Sequence, residues 1–214
     1  MVKQRALLWC AIAGAVFFIA AFVIEGATRA GYDPMRDPVS SLALTGLGWT
    51  QTANFLITGL LFALFAVGLF MSGQGRALPI LVGVIALGLI GAGLFRTDPV
   101  TGYPPGASTE VTTLGTLHDL FSMGVFLGLP IACFVMAFRS GKARRWGWVA
   151  YSVATAVVFL VLFVLAGTGF TGDPMFAPIG GLMQRLCITV GWAWLAGLAL
   201  DTLRGTQGNG MTAR

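Results

Sequence analysis

Charge is what this chain has least of. Only 10% of its 214 residues are Asp, Glu, Lys or Arg, where an ordinary soluble domain carries about 25%. With 57% hydrophobic residues and a mean hydropathy of +0.85, the chain cannot present a water-facing surface over most of its length. Its solvent must be a bilayer. Hydrocarbon supplies no hydrogen-bond partner, so each crossing is a helix or part of a closed barrel. The apolar runs are continuous rather than alternating, which removes the barrel.

Cysteine and histidine are scarce as well. Cys10, Cys133 and Cys187 all sit inside apolar runs, with no CxxC and no Cys/His pair at zinc spacing. They read as small buried hydrophobes. His118 is the only imidazole, which excludes a haem held by two histidines. One His and several Asp without ligand spacing predict no metal site, and no residue pattern names a cofactor. There is no Gly-x-Ser-x-Gly, and the turn Ser72–Arg76 is too short for a phosphate-binding loop. The surplus charge of +5 gathers on one side of the membrane, so it is a topology signal and predicts no nucleic-acid partner.

What is present is a set of long apolar runs. They predict one all-α domain over 1–204, a bundle of six transmembrane helices near 6–24, 50–71, 77–95, 118–138, 147–170 and 180–203. Each is near the roughly 20 residues that cross a bilayer. The Gly-rich stretch 205–214 reads as a flexible cytoplasmic tail. Lys3 and Arg5 before the first run resemble a signal peptide, but the apolar core is too long and lacks a small-x-small cleavage site, so a retained helix is expected.

The connections alternate in charge. Lys3, Arg5, Arg76, Arg139, Lys142, Arg144, Arg145, Arg204 and Arg214 fall on one side with a single acid, Asp201, for a net +8. Glu25, Asp33, Asp37, Asp98, Glu110, Asp119 and Asp173 fall on the other with four arginines, 29, 36, 96 and 185, for a net −3. The positive-inside rule then predicts both termini in the cytoplasm.

The three loops on the acidic side share a pattern. Asp37-Pro38, Asp98-Pro99 and Asp173-Pro174 each follow an odd-numbered span, and Gln51, His118 and Gln184 stand early in the even-numbered ones. Asp-Pro opens turns because Pro disfavours helix in the residue before it. The pattern predicts three repeated hairpins with these three polar residues equivalent. Gly124-x-x-x-Gly128 and the glycines of the third span read as close helix packing. Trp192 and Trp194 fit either core filling or an aromatic pocket wall.

Polar side chains in lipid are costly and turn inward. Gln51, Asn54 and Thr58 form one stripe on the second helix. His118, Asp119 and Ser122 open the fourth, and Gln184 with Arg185 the sixth. These are expected to converge in the outer half of the bundle. Asp119, Asp98 and Asp173 are the expected carboxylate partners of Arg185. His118 with Asp119 or Asp98 supplies candidate acid–base groups, and these three are the candidate catalytic residues. Arg96, Arg185, Gln184, Gln51, Asn54, Ser41, Asp37 and Asp173 are the candidate ligand contacts, with the two arginines holding an anionic group. Ser40 or Ser41 could serve as a hydroxyl nucleophile, although a Ser-Ser after Asp-Pro is more often a helix cap.

Several of these segments together resemble the DUF998 family of bacterial integral membrane proteins. They are Asp37-Pro38-Val39-Ser40-Ser41-Leu42 with Asn54, Gly93-Leu94-Phe95-Arg96-Thr97-Asp98, Leu117-His118-Asp119, and Gly181-Leu182-Met183-Gln184-Arg185. The resemblance covers nearly the whole chain. It implies a polytopic bacterial plasma-membrane protein and no activity, since the family is a domain of unknown function. The leading expectation is recognition of a small amphiphile or membrane lipid at the outer leaflet. The rivals are an intramembrane enzyme acting on a lipid or isoprenoid, a small transporter, and an accessory subunit. The inner halves of the helices hold few polar residues, which counts against a transport path. The residues do not choose between binding and catalysis, nor do they state an oligomeric state.

Overall fold

The computed structural model describes residues 2–108 and 110–211, with side chains as far as Gly205. Six α-helices dominate it: α1 Val2–Thr28, α2 Gly48–Met71, α3 Ala77–Leu94, α4 Thr113–Lys142, α5 Trp146–Phe170 and α6 Gly180–Met211. All six are long and apolar enough to cross a membrane. The chain is an all-helical, multi-pass membrane protein. Most of these helices begin before, or run past, the apolar runs that announce them. α6 keeps its helical course to Met211, beyond the end expected at Leu203. Arg214, counted above with the basic side, lies outside the described residues, as do the side chains of 206–211.

Each helix packs against the next in the chain, and α6 returns to α1, so the six form a closed ring. The α1–α2, α3–α4 and α5–α6 connections share one end with most of the acids. The start of α1, the end of α6 and the basic turns share the other. At the basic end the α2–α3 turn uses Gly73 and Gly75 at φ +70° and +98°, a left-handed region open to glycine. There Asp201 accepts from Trp148 Nε1 at 3.1 Å and forms an ion pair with the Arg145 guanidinium.

Small residues let the helices approach. Gly124 on α4 lies against α3, with the position of a Cβ falling 3.6 Å from Gly88 Cα. A Cβ at Gly88 would itself lie 2.8 Å from the Phe121 carbonyl oxygen. The half of the ring nearer the termini is filled. Leu8, Phe62, Phe65, Ile85, Leu129, Phe159, Trp194 and Leu195 are completely buried there, and the Trp194 indole donates to Ser152 Oγ at 3.0 Å. The sulfhydryls of Cys133 and Cys187 lie in the same packed interior and are free, as is the half-buried Cys10.

The α3–α4 contact has no room for a side chain at Gly88, so Gly88→Leu must push the helices apart. Overpacking of this kind costs about 1–3 kcal/mol. The expected outcome is a lower thermal midpoint and a broadened size-exclusion peak, while Gly83→Leu, whose Cβ would meet no atom within 4 Å, leaves both unchanged.

Candidate functional site

Two polar assemblies form at the acidic end. One is a knot that ties the first loop to α6. Asp37 is fully buried, and its carboxylate accepts from Arg36 Nε, the Asp33 amide and Thr101 Oγ1, each at 2.8 Å. Charge-assisted bonds of this kind are the strong ones. The backbone oxygen of Asp37 accepts from Arg185 Nη1 at 3.0 Å, and the same nitrogen donates to the Gly181 carbonyl at 3.0 Å. The other arm of Arg185 donates to the Tyr32 hydroxyl. That hydroxyl in turn donates to the carbonyls of Asp37 and Pro38 at 3.1 and 2.9 Å. The guanidinium also stands 5.4 Å and 5.8 Å from the ring centres of Tyr32 and Phe22. Gly181 is glycine because the loop presses on it: a Cβ would lie 2.5 Å from the Asp37 oxygen.

The second assembly is a cavity of about 440 Å³ in the same half of the ring, lined by residues from all six helices. Such a volume suits a small ligand. Phe18, Phe55, Leu89, Val125, Ile188 and Trp192 form its apolar depth. Trp192 meets Phe18 and Phe62 edge-on at 5.6 and 5.2 Å, which closes the floor toward the packed half. Pro38, Val39 and Ser40 of the first loop and Thr97, Asp98 and Val100 of the second form the roof. Among the lining residues only Asp119 of α4 and Gly167 of α5 are exposed, so the mouth lies between these helices. Deeper along the same seam, Phe126 and Phe163 stack at 4.6 Å and shut it.

His118 is buried on the cavity wall. Its Nδ1 lies 2.9 Å from the Ala92 oxygen and 3.0 Å from the Phe95 oxygen, two carbonyls left over where α3 ends. Both partners can only accept, so Nδ1 carries the hydrogen. In the neutral ring Nε2 then keeps its lone pair, and that nitrogen is what His118 offers the cavity. Asp98 also lines the cavity, yet its carboxylate is taken at the start of α4. It accepts the Thr112 amide at 2.8 Å and the Thr112 hydroxyl at 2.7 Å, and Thr112 caps the helix by accepting from Gly115. Gln184 gives its Oε1 to the Val39 amide at 2.8 Å, leaving its N–H groups for the cavity. Asp119, Ser122 and Ser40 line the cavity without a side-chain hydrogen bond among the described residues.

The candidate residues thus divide between the two assemblies and the loops. His118, Asp119, Asp98 and Gln184 line the cavity; Gln51, Asn54, Ser41, Asp37, Arg96, Arg185 and Asp173 do not. Gln51, Asn54 and Thr58 form the expected stripe, but it faces α1. Asn54 Nδ2 donates to the Phe18 carbonyl at 3.3 Å and to Gln51 Oε1 at 3.2 Å. Ser41 is fully buried in the 3-10 turn Val39–Leu44. Arg96 Nη2 donates to the Leu44 carbonyl at 2.5 Å. Arg185 forms no ion pair with Asp119, Asp98 or Asp173; backbone oxygens and a hydroxyl take their place. A guanidinium satisfied by local carbonyls has no need to reach a distant acid. The remaining loop arginine, Arg29, pairs with Glu25 at 2.9 Å.

The loops repeat in a register four residues away from the expected one. Asp173 Oδ1 accepts the Met175 amide at 2.9 Å, and its carbonyl accepts the amides of Phe176 and Ala177 at 3.2 and 2.8 Å. Asp33, not Asp37, copies this: Oδ1 accepts Met35 at 2.9 Å, and the carbonyl accepts Arg36 and Asp37 at 3.1 and 2.7 Å. The signal was the shared Asp-Pro-Met at 33–35 and 173–175. Both turns run into a short 3-10 segment, Val39–Leu44 in one and Ala177–Ile179 in the other. Asp173 is therefore a turn residue. The lining residues Phe163, Ala166 and Phe170 were not singled out from sequence; they stand on α5 among apolar neighbours of types that give no sign of a cavity.

The family model described as "Protein of unknown function (DUF998)" matches residues 12–201, and the chain belongs to that family. No curated protein and no solved structure matches it.

The knot makes two expectations. Asp37→Asn removes the charge that three donors share, and a loss of about 1–3 kcal/mol is expected in reversible unfolding, with faster amide exchange across 32–41. Burial pushes the Tyr32 hydroxyl from its ordinary 10.0 up to about 12. The neutral hydroxyl therefore contributes fully below pH 10, and its contribution is lost as the pH rises toward 12. The thermal midpoint of the wild type should fall more steeply across that window than that of Tyr32→Phe, which lacks the titrating hydroxyl.

Proposed function

We propose that this DUF998 protein binds a small amphiphile drawn from the membrane into the cavity between its helices. The observation that carries the reading is the arrangement of the cavity: an apolar depth walled by six helices, polar groups gathered near the roof, and a mouth on the flank between α4 and α5. A molecule already dissolved in the bilayer would enter there without crossing water. The tail would lie against Phe18, Phe55, Leu89 and Ile188, and the head group beside His118, Asp119, Ser122 and Gln184. Burying such a tail is worth about 25 cal/mol per Å² of apolar area.

In a bacterial plasma membrane, the sidedness of charge supports both termini in the cytoplasm and the cavity in the outer leaflet. Among the described residues the half of the ring beyond Trp192 and Phe62 is filled mainly by apolar side chains, which disfavours transport. A second reading, acid–base chemistry on the bound amphiphile, is favoured by one observation: the Nδ1–H of His118 is fixed by two carbonyls, which leaves Nε2 poised as a base.

The test is lipid mass spectrometry of the purified protein beside Ala166→Trp. Ala166 is buried on the cavity wall, and an indole there fills the space. An amphiphile that accompanies the wild type and is depleted in Ala166→Trp, at matched monodispersity, is the expected result. The same lipids at the same ratio in both proteins would refute the reading.

A further inference from the structure

We infer that the head group this cavity takes is a cation, so that its ligand is a lipophilic amine and not an anionic lipid. The inference rests on the amphiphile-binding reading above and names the ligand's class.

The argument begins with where the positive charges are. Four arginines stand at this end of the bundle, and none lines the cavity. Arg29 is spent on Glu25, Thr45 and Thr50. Arg36 pairs with Asp37. Arg96 and Arg185 donate to backbone carbonyls, and Arg185 also to the Tyr32 hydroxyl. The charged residues on the cavity wall are both carboxylates, Asp98 and Asp119. Asp98 is engaged by Thr112, but Asp119 has no ion-pair or hydrogen-bond partner among the described residues and stands at the mouth. Beside it His118 presents a lone pair, because its hydrogen is committed to Ala92 and Phe95.

A phosphate or carboxylate head group would meet two carboxylates and a lone pair. Against these, the Gln184 amide, the unpaired Trp192 Nε1–H and the hydroxyls of Ser40, Ser122 and Thr97 are the donors on the wall. An ammonium would meet Asp119 for its charge and His118 Nε2 for one of its N–H bonds. The depth of the cavity suits it too. Six aromatic rings line the walls, from Phe18, Phe55, Phe126, Phe163, Phe170 and Trp192. Ring faces attract a cation as well as an alkyl chain, and the attraction grows when water is excluded. An amine with a single aliphatic tail thus answers the Asp119 charge, the His118 lone pair and the ring faces, and an anion answers none of these three.

Three probes of one chain length separate charge from fit: decylamine, decanol and decanoate. Each is titrated at pH 7 into the full chain in zwitterionic nanodiscs, with empty discs subtracted. Decylamine is expected to bind about tenfold more tightly than decanoate, the factor that one modest charge contact supplies. Asp119→Asn should weaken decylamine about tenfold and leave decanol within about twofold. Decanoate binding as tightly as decylamine would overturn the inference, and so would a preference for decylamine that survives Asp119→Asn. In either case the cavity reading stands if Ala166→Trp still abolishes binding. If Ala166→Trp binds all three probes like the wild type, or if none binds the wild type above the empty discs, the cavity reading falls and this inference with it.

Discussion

A guanidinium held by carbonyl oxygens organises the acidic end of this protein. Arg185 rises from the first turns of α6, is partly buried, and takes its partners from within the protein. It finds the backbone of the first loop at Asp37, its own helix at Gly181, and the hydroxyl of Tyr32. That arrangement draws the loop down onto the bundle. Pro38, Val39 and Ser40 then become a roof, and Gln184 on the same helix turns its oxygen to the Val39 amide. Asp37 does the reciprocal work from inside the loop, collecting Arg36, the Asp33 amide and Thr101 of the second loop on one carboxylate. Without this knot there would be a ring of helices but no covered chamber.

The knot also sorts charge. By binding the cations to loop oxygens and to Asp37, it withdraws them from the space it covers. What stays on the chamber wall is a carboxylate without a partner, an imidazole lone pair, the hydroxyls of Ser40, Ser122 and Thr97, an amide and the unpaired indole N–H of Trp192. The same end of the bundle is thus rich in arginine by composition and electronegative where a ligand would sit. Asp98 shows how narrow the division is. It faces the chamber, yet both of its oxygens are turned to Thr112 to hold the start of α4.

The helices were legible in the sequence because hydropathy over a span of that length has one physical meaning in a chain so poor in charge. The inward turn of polar side chains was legible for the same reason. Which neighbour they would meet was not. Gln51, Asn54 and Thr58 form the stripe that their spacing requires, but spacing states a face of α2 and not the helix opposite it, and that helix is α1. Arg185 was expected to seek an acid because long-range pairing is the usual remedy for a buried cation; backbone carbonyls, which sequence does not display, served instead. The loop repeat was seen in part. Three Asp-Pro steps drew attention to Asp37, whereas the longer match Asp-Pro-Met marks Asp33 and Asp173 as the equivalent turns. The cavity itself rests on residues like Ala92, Ala166 and Phe163, whose types are the same as those of any lipid-facing helix.

The closure of α6 onto α1 has a consequence of its own. The polypeptide enters and leaves at the same end, and the two terminal helices are packed neighbours. In such a circle the position of the break is a matter of connectivity and not of architecture. Joining the present ends and cutting the glycine turn at Gly73–Gly75 would preserve every helix–helix interface, and α3 would become the leading helix of an unaltered ring.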